Sequence, residues 1–220
     1  GYAGSTFPVE YGGQGLTLDH ERVFLEEAVG YDVPTRMFGV SINILGATLA
    51  AHGTHEQKQR HLPRIVSGEE LWLQLLSEPS GGSDLAGLLM SARREGDHFV
   101  VNGQKTWSSG AQRSDYALCP VRTSWDVPKH RGLSLLIVDL RSPGIEIRPI
   151  KEITAAAQFC EEFFTDVVIP AANLVGEENR GWEVIRGLLA IEHAWVGRGG
   201  AKRLGYRRDV FDLVAVGKAP

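Results

Sequence analysis

The chain has 220 residues, 43% of them hydrophobic, enough for one or two globular domains with sizeable cores. Its 23 basic and 27 acidic residues leave a net charge of −4, so no domain-wide basic surface is on offer to nucleic acid. No apolar run reaches the roughly 18 residues of a membrane span, no secretory leader is read at the start, and two cysteines, Cys119 and Cys160, make neither a disulfide framework nor a metal cluster. A reduced, cytoplasmic protein without a membrane partner is expected.

In chain order, residues 1–17 hold five glycines and a proline and predict an irregular, turn-rich segment. A helix follows from near Asp19 to Gly30, and a second from Thr35 to Ala51, where Met37, Val40, Ile44, Leu45, Thr48 and Leu49 share one stripe. Thr54 and Gln57 read as a capping box that starts a third helix, which Gly68 stops. His52, His55 and His61 fall close together here. No carboxylate or cysteine joins them at a recognisable ligand spacing, so solvated helix ends are expected rather than a metal site.

From Leu71 the apolar period changes from that of a helix to that of a strand. Strands are predicted at Leu71–Leu76, Met90–Arg94, Tyr116–Val121, Gly132–Asp139, Gly144–Arg148 and Phe163–Ile169. His98–Val101 and Gln104–Trp107 flank Asn102-Gly103, a strong signal for a hairpin with a tight turn. Between the first two strands lies Gln74-Leu-Leu-Ser-Glu-Pro-Ser-Gly-Gly-Ser-Asp84, a polar turn whose glycines let the backbone approach a planar ligand. Helix resumes near Asn179 and is expected to run to Val216, with Trp182, Ile185, Leu188, Leu189, Glu192, Trp195 and Val196 on one stripe. The fold class is α+β: helices, then an antiparallel sheet, sandwich or barrel, then a long helix.

Several of these motifs, in this order, resemble the acyl-CoA dehydrogenase family of flavoproteins. They are Phe7-Pro-Val-Glu-Tyr-Gly-Gly-Gln-Gly-Leu16; Gln57-Lys58, Leu62-Pro63 and Gly68-Glu69; Ser77-Glu-Pro-Ser-Gly-Gly-Ser-Asp84; Asn102-Gly-Gln-Lys-Thr-Trp107; Phe163-Phe-Thr-Asp-Val-Val-Ile-Pro170; and Asn173-Leu-Val-Gly-Glu-Glu-Asn-Arg-Gly-Trp182. The resemblance implies a partial N-terminal helical domain over residues 1–70, a middle β domain with the flavin and acyl-CoA site over 71–175, and the first helix of a C-terminal helical bundle over 176–220. By that template the chain is truncated at both ends, which agrees with its starting on Gly1 rather than Met.

The implied reaction is α,β-dehydrogenation of an acyl-CoA thioester: a carboxylate removes the α proton and the β hydrogen leaves as hydride to N5 of FAD. The implied partners are the acyl-CoA, an electron-transfer flavoprotein or similar acceptor, and other subunits of a homo- or hetero-oligomer. By resemblance, Gln74, Leu76 and Ser77 edge the flavin ring, Trp107 packs on it and Ser109 reaches N5 or O4. Gly82, Ser83 and Ser108 belong to the same cofactor set, and Ser83 also contacts CoA. The family usually has Ile at 108 and Thr at 109, so the hydroxyl is kept at 109. Leu189-Ala-Ile-Glu-His193 resembles the Leu-x-x-Glu-Arg pattern of the subset like isovaleryl-CoA dehydrogenase, which makes Glu192 the base, with His193 at a substrate-binding position usually held by Arg. A carboxylate on an apolar stripe suits that role, because desolvation strengthens it as a base. No metal is expected.

Read from the residues alone, the same positions also fit plainer roles. Ser77 and Ser109 can be turn or strand-end serines, Trp107 a core aromatic, Ser83 a turn residue beside Asp84, and Glu192 the partner of an arginine or of a subunit interface. Arg203, Arg207 and Arg208 fit a solvated helix face or CoA phosphates. Two further functional readings stand beside the dehydrogenase: an oxygen-using acyl-CoA oxidase or flavin monooxygenase on the same fold, and a non-catalytic flavin-site fragment or subunit of a heteromeric dehydrogenase.

Overall fold

The computed structural model describes residues 3–28, 31 and 35–197. A 3-10 turn at Val9–Tyr11 leads to α1 (Leu18–Glu27). Then come α2 (Thr35–Val40), a π-helical turn (Ser41–Gly46), α3 (Ala47–His52) and α4 (His55–Ser67). The π turn interrupts what the sequence reads as one helix. Its Ser41 hydroxyl accepts a 3.0 Å hydrogen bond from the Trp72 amide, which ties the helices to the first strand. The capping box forms as expected: Gln57 N–H donates to Thr54 Oγ1, Thr54 N–H donates to Gln57 Oε1, and Gly68 ends α4 in a left-handed conformation.

Eight strands follow: β1 (Trp72–Gln74), β2 (Ser91–Glu95), β3 (His98–Ser109), β4 (Tyr116–Arg122), β5 (Leu133–Asp139), β6 (Ile145–Ile150), β7 (Phe159–Pro170) and β8 (Leu174–Val175). They form one sheet in the order β6-β7-β3-β2-β4-β5-β8, with β1 on β4. The sheet is mixed rather than purely antiparallel. β1 runs parallel to β4, because the intervening β2–β3 pair serves as the crossover between them. The last helix is α5 (Gly181–Trp195); its expected continuation to Val216, with Arg203, Arg207 and Arg208, lies outside the described residues.

The hairpin expected at Asn102-Gly103 does not form. β3 runs straight through these residues, and the turn between β2 and β3 is Gly96-Asp97, with Gly96 at φ +61°. Asn102 and Gly103 instead make an irregularity in the β3–β7 pairing. The Asn102 side chain donates 2.9 Å to Asp166 Oδ1 and accepts 2.9 Å from the Asp166 amide, and that cross-strand pair overrides the local turn preference.

His61 also departs from expectation. It is buried, bonds Glu70 Oε2 at 2.8 Å, and sets its ring edge-on to Trp72 and Tyr116. Burial works against ionisation of Glu70, but hydrogen bonds from His61 and Trp72 outweigh it and hold the carboxyl below its usual range. His55 is exposed, as expected, and pairs with the Tyr11 hydroxyl at 2.9 Å.

Two cores lie on opposite faces of the sheet. Leu45, Leu49, Leu62, Ile185 and Leu188 of the helices pack on Leu133, Leu135 and Ile137 of β5. Leu136 and Val138, the alternate residues of β5, pack with Phe99, Val101, Val121, Phe164 and Ile169. A strand buried on both faces reads as a near-continuous apolar run, which is what Leu133 to Val138 shows, with Ser134 its one polar residue.

Candidate functional site

The Gln74–Asp84 stretch leaves the end of β1 and is fastened to β3. Leu75 N–H still bonds Leu118 C=O at 3.0 Å, and the Ser77 C=O accepts 2.9 Å from Thr106 N–H. Glu78 and Gly81 exchange two 3.0 Å backbone hydrogen bonds, closing the tight turn that Pro79 and the glycines predict. A side chain at Gly82 would stand 3.1 Å from Ser77 Oγ, so the missing Cβ keeps that hydroxyl approachable. Leu76 and Ser77 are half-buried, while Gly82 and Ser83 are exposed. Beside Ser83, Asp84 pairs with Lys129 at 2.7 Å, and the hydrogen bond from that ammonium lowers the Asp84 carboxyl below its usual range.

On β3 the pairing with β7 shifts again between Thr106 and Ser108. Trp107 is the inserted residue. Its φ of +62° is left-handed, and the indole stands 60% exposed, edge-on to Phe159. A bulge at this point re-aims one side chain out of the sheet. Ser109, two residues on, is exposed. Ser108 turns the other way: it is buried and donates to the Glu162 carboxyl.

Glu192 sits half-buried on α5 and accepts a 3.0 Å hydrogen bond at Oε1 from Gln74 Nε2. The bond joins β1 to α5 across 118 residues and brings the predicted base to the root of the Ser77 loop. His193 is exposed on the same helix. The structure thus gathers Gln74, Leu76, Ser77, Gly82 and Glu192, and fastens them to β3 one residue from Trp107.

Beneath this surface lies a charged layer that the sequence reading did not assign. Lys105 is fully buried and pairs with Glu78 at 2.9 Å, with both side chains essentially inaccessible. Glu162 is fully buried, and burial pushes its carboxyl up to about 7. Its Oε2 has no hydrogen-bond partner among the described residues. The one available signal was a charge at an inward position of β3 and of β7, where alternation predicts an apolar residue.

The residues fit a planar, hydrogen-bonding cofactor such as a flavin. Gln74 Oε1 is a buried acceptor with no partner among the described residues, so it can take an N–H from a ligand. The Ser77 hydroxyl, the bare Gly82 and the outward Trp107 offer a polar edge and an aromatic plate. An apolar cavity of about 470 Å³ lies elsewhere, between the N-terminal loop, α1 and α2; it is lined by Phe7, Phe24, Leu25 and Ile42 and shares no residue with this group. Among the described residues no group of three or more His, Cys, Asp or Glu can hold a metal ion, and no helix is long and apolar enough to cross a membrane.

Comparison with known proteins agrees with this arrangement. Residues 1–69 match the family described as "Acyl-CoA dehydrogenase, N-terminal domain" and residues 74–167 match "Acyl-CoA dehydrogenase, middle domain". The chain is 40% identical to acyl-CoA dehydrogenase IpdE1 of Mycobacterium tuberculosis over 212 residues, covering 96% of this chain and 54% of the relative. It is 32% identical to the mitochondrial isovaleryl-CoA dehydrogenase of Pongo abelii over 216 residues, covering 96% and 50%. The solved structure named "Tcur3481-Tcur3483 steroid ACAD" superposes with a TM-score of 0.82 at 36% identity, covering 98% of this chain and 54% of that one. The chain therefore spans about half the length of the curated relatives it matches. Motif order, mixed sheet and flanking helices agree across nearly the whole sequence, and the chain belongs to the acyl-CoA dehydrogenase family.

Proposed function

We propose that this chain forms the flavin-facing and proton-abstracting part of an FAD-dependent acyl-CoA dehydrogenase. The observation that carries the reading is the Gln74–Glu192 hydrogen bond, which sets a carboxylate against the loop suited to the cofactor. Gln74, Leu76, Ser77, Gly82, Trp107 and Ser109 would hold the flavin ring. FAD, when bound, supplies the two-electron acceptor for the β hydrogen of the acyl chain. The chain's own residues do the rest. Gln74 fixes Oε1 of Glu192, and Oε2, which makes no hydrogen bond among the described residues, takes the α proton of the thioester. Ser77 offers its hydroxyl to the ring edge where negative charge gathers on reduction. Ser83, exposed on the far side of the turn, and His193 on α5 face the substrate. Ser108 stands behind this surface and supports it through Glu162.

The partners belong to the same proposal: an acyl-CoA, an electron-transfer flavoprotein or similar acceptor, and further subunits, of this or a second kind. The test is anaerobic mixing of FAD-loaded protein with a panel of straight-chain, branched and steroid-type acyl-CoA thioesters. Bleaching of the flavin bands is expected with at least one of them, and Glu192→Gln is expected to retain flavin while losing nearly all turnover. Substantial turnover in Glu192→Gln would remove Glu192 from the mechanism. Absence of bleaching across the panel would count against the dehydrogenase, and oxygen uptake coupled to turnover would point to an oxidase.

A further inference from the structure

We infer that the buried Glu78–Lys105 ion pair is a positioning pair for Ser77, fixing the backbone on both sides of it so that its hydroxyl meets the cofactor. The inference rests on the reading of Ser77 as a flavin contact. Lys105 is fully buried, and its ammonium makes two hydrogen bonds. One goes to the Leu76 C=O at 3.3 Å and the other to Glu78 Oε1 at 2.9 Å, the residues immediately before and after Ser77. Glu78 is anchored in turn by the amides of Leu89 at 2.6 Å and Met90 at 3.0 Å. The Ser77 C=O itself is held by Thr106, the neighbour of Lys105. The Ser77 hydroxyl makes no hydrogen bond among the described residues, so the Leu76, Ser77 and Glu78 ties hold the loop while the group at its centre is left for a ligand.

A stability argument does not account for such a pair. Burying two charges carries a heavy desolvation cost, and well-packed apolar residues in their place are often neutral or stabilising. What the pair supplies is placement. A lysine long enough to cross from β3 to the loop binds one flank of Ser77 directly and the other through a carboxylate that is itself locked to the chain beyond the turn. A shift of the loop breaks charge-assisted bonds in a dry environment, where they are strong.

The experiment is a mutant cycle on the FAD-loaded protein, read by FAD affinity, flavin absorption spectrum and thermal melting. Ser77→Ala alone is expected to weaken FAD about tenfold, the loss of one good hydrogen bond. Glu78→Gln with Lys105→Met removes both charges at similar volume, so the protein is expected to stay folded, bind FAD about tenfold more weakly and show a shifted flavin spectrum. Adding Ser77→Ala to that double variant should then cost less than about twofold, because the hydroxyl is already misplaced. A full tenfold further loss, or unchanged affinity and spectrum in the double variant, would overturn the inference while leaving the flavin reading intact. Glu78→Asp gives a second arm that keeps both charges and shortens the tie; it is expected to weaken FAD at least about threefold, and wild-type affinity and spectrum in it would also overturn the inference. If the parent protein binds no FAD, or Ser77→Ala binds it as tightly as the parent, the flavin reading fails and the inference falls with it.

Discussion

Gln74 at the end of β1 donates a 3.0 Å hydrogen bond to Glu192 on α5. The bond favours one rotamer of the carboxylate and leaves its other oxygen open, which is what the proposed role of Glu192 as general base needs. It also spans the junction between sheet and helix, so the geometry of the site depends on the packing of α5 against β5 through Ile185 and Leu188.

Gln74→Met, matched in volume but unable to donate, is therefore expected to lower kcat about tenfold or more with little change in KM, since the interaction matters most when the proton moves. Steady-state kinetics on the FAD-loaded protein decide it. A rise in KM at unchanged kcat would assign Gln74 to binding instead.

Glu162 makes a prediction about pH. Its folded carboxyl is raised to about 7 by burial, above the ordinary 4.5. Between those values the native state holds a proton that the unfolded chain releases. Stability is thus fullest below about 4.5 and falls as pH rises through about 7, by up to about 3 kcal/mol for a shift of this size. Glu162→Gln, a neutral mimic, should flatten that fall in urea unfolding measured at pH 5 and pH 8. Ser108→Ala removes the hydrogen bond that favours the ionised form and should steepen it. Parallel pH profiles for the parent and Glu162→Gln would show that this carboxyl is ionised in the fold.

Trp107 holds a left-handed backbone at φ +62°, which costs an ordinary residue roughly 1–2 kcal/mol and glycine almost nothing. Its indole is largely exposed and keeps one edge contact with Phe159, the kind worth about 0.5–1.5 kcal/mol. These effects nearly offset, so Trp107→Gly should change stability by less than about 1 kcal/mol. FAD binding should drop sharply, because the aromatic plate is gone. A thermal melt and an FAD titration on one sample separate the two outcomes; a loss of several kcal/mol of stability with FAD affinity unchanged would make Trp107 a structural residue.

How much of this was legible depended on how local the signal was. Thr54 and Gln57 bond within one turn, so the start of α4 could be read directly. The apolar run of β5 was equally plain, since burial on both faces leaves no alternation to misread. Asn102-Gly103 failed because its turn preference is a local bias, and Asp166, 64 residues away, satisfied the same side chain in a strand. Gln74 and Glu192 were each singled out, but separately; no pattern within β1 or α5 foretells a bond across 118 residues. Lys105 read as one more polar residue of a strand. Alternation from Phe99 and Val101 places it inward, but only its partner, 27 residues back on Glu78, shows what it is there for.

Glycine substitutions test the corrected course of β3. Gly96 and Gly103 both lie at positive φ, +61° and +145°, yet their surroundings differ. A Cβ at Gly96 meets nothing within 4 Å, as befits an open turn, whereas at Gly103 it would stand 2.9 Å from the Met90 Cα. Gly96→Ala is expected to cost only the backbone term, about 1 kcal/mol. Gly103→Ala adds a clash with main chain that cannot swing aside, bringing the loss to about 2–4 kcal/mol and displacing Met90, whose amide is one of the two that anchor Glu78. Flavin affinity should therefore fall in Gly103→Ala and hold in Gly96→Ala. Chemical denaturation of both variants gives the ranking. The reverse order would restore the turn to Asn102-Gly103 and break the path by which β3 carries Lys105 and Trp107 to the site.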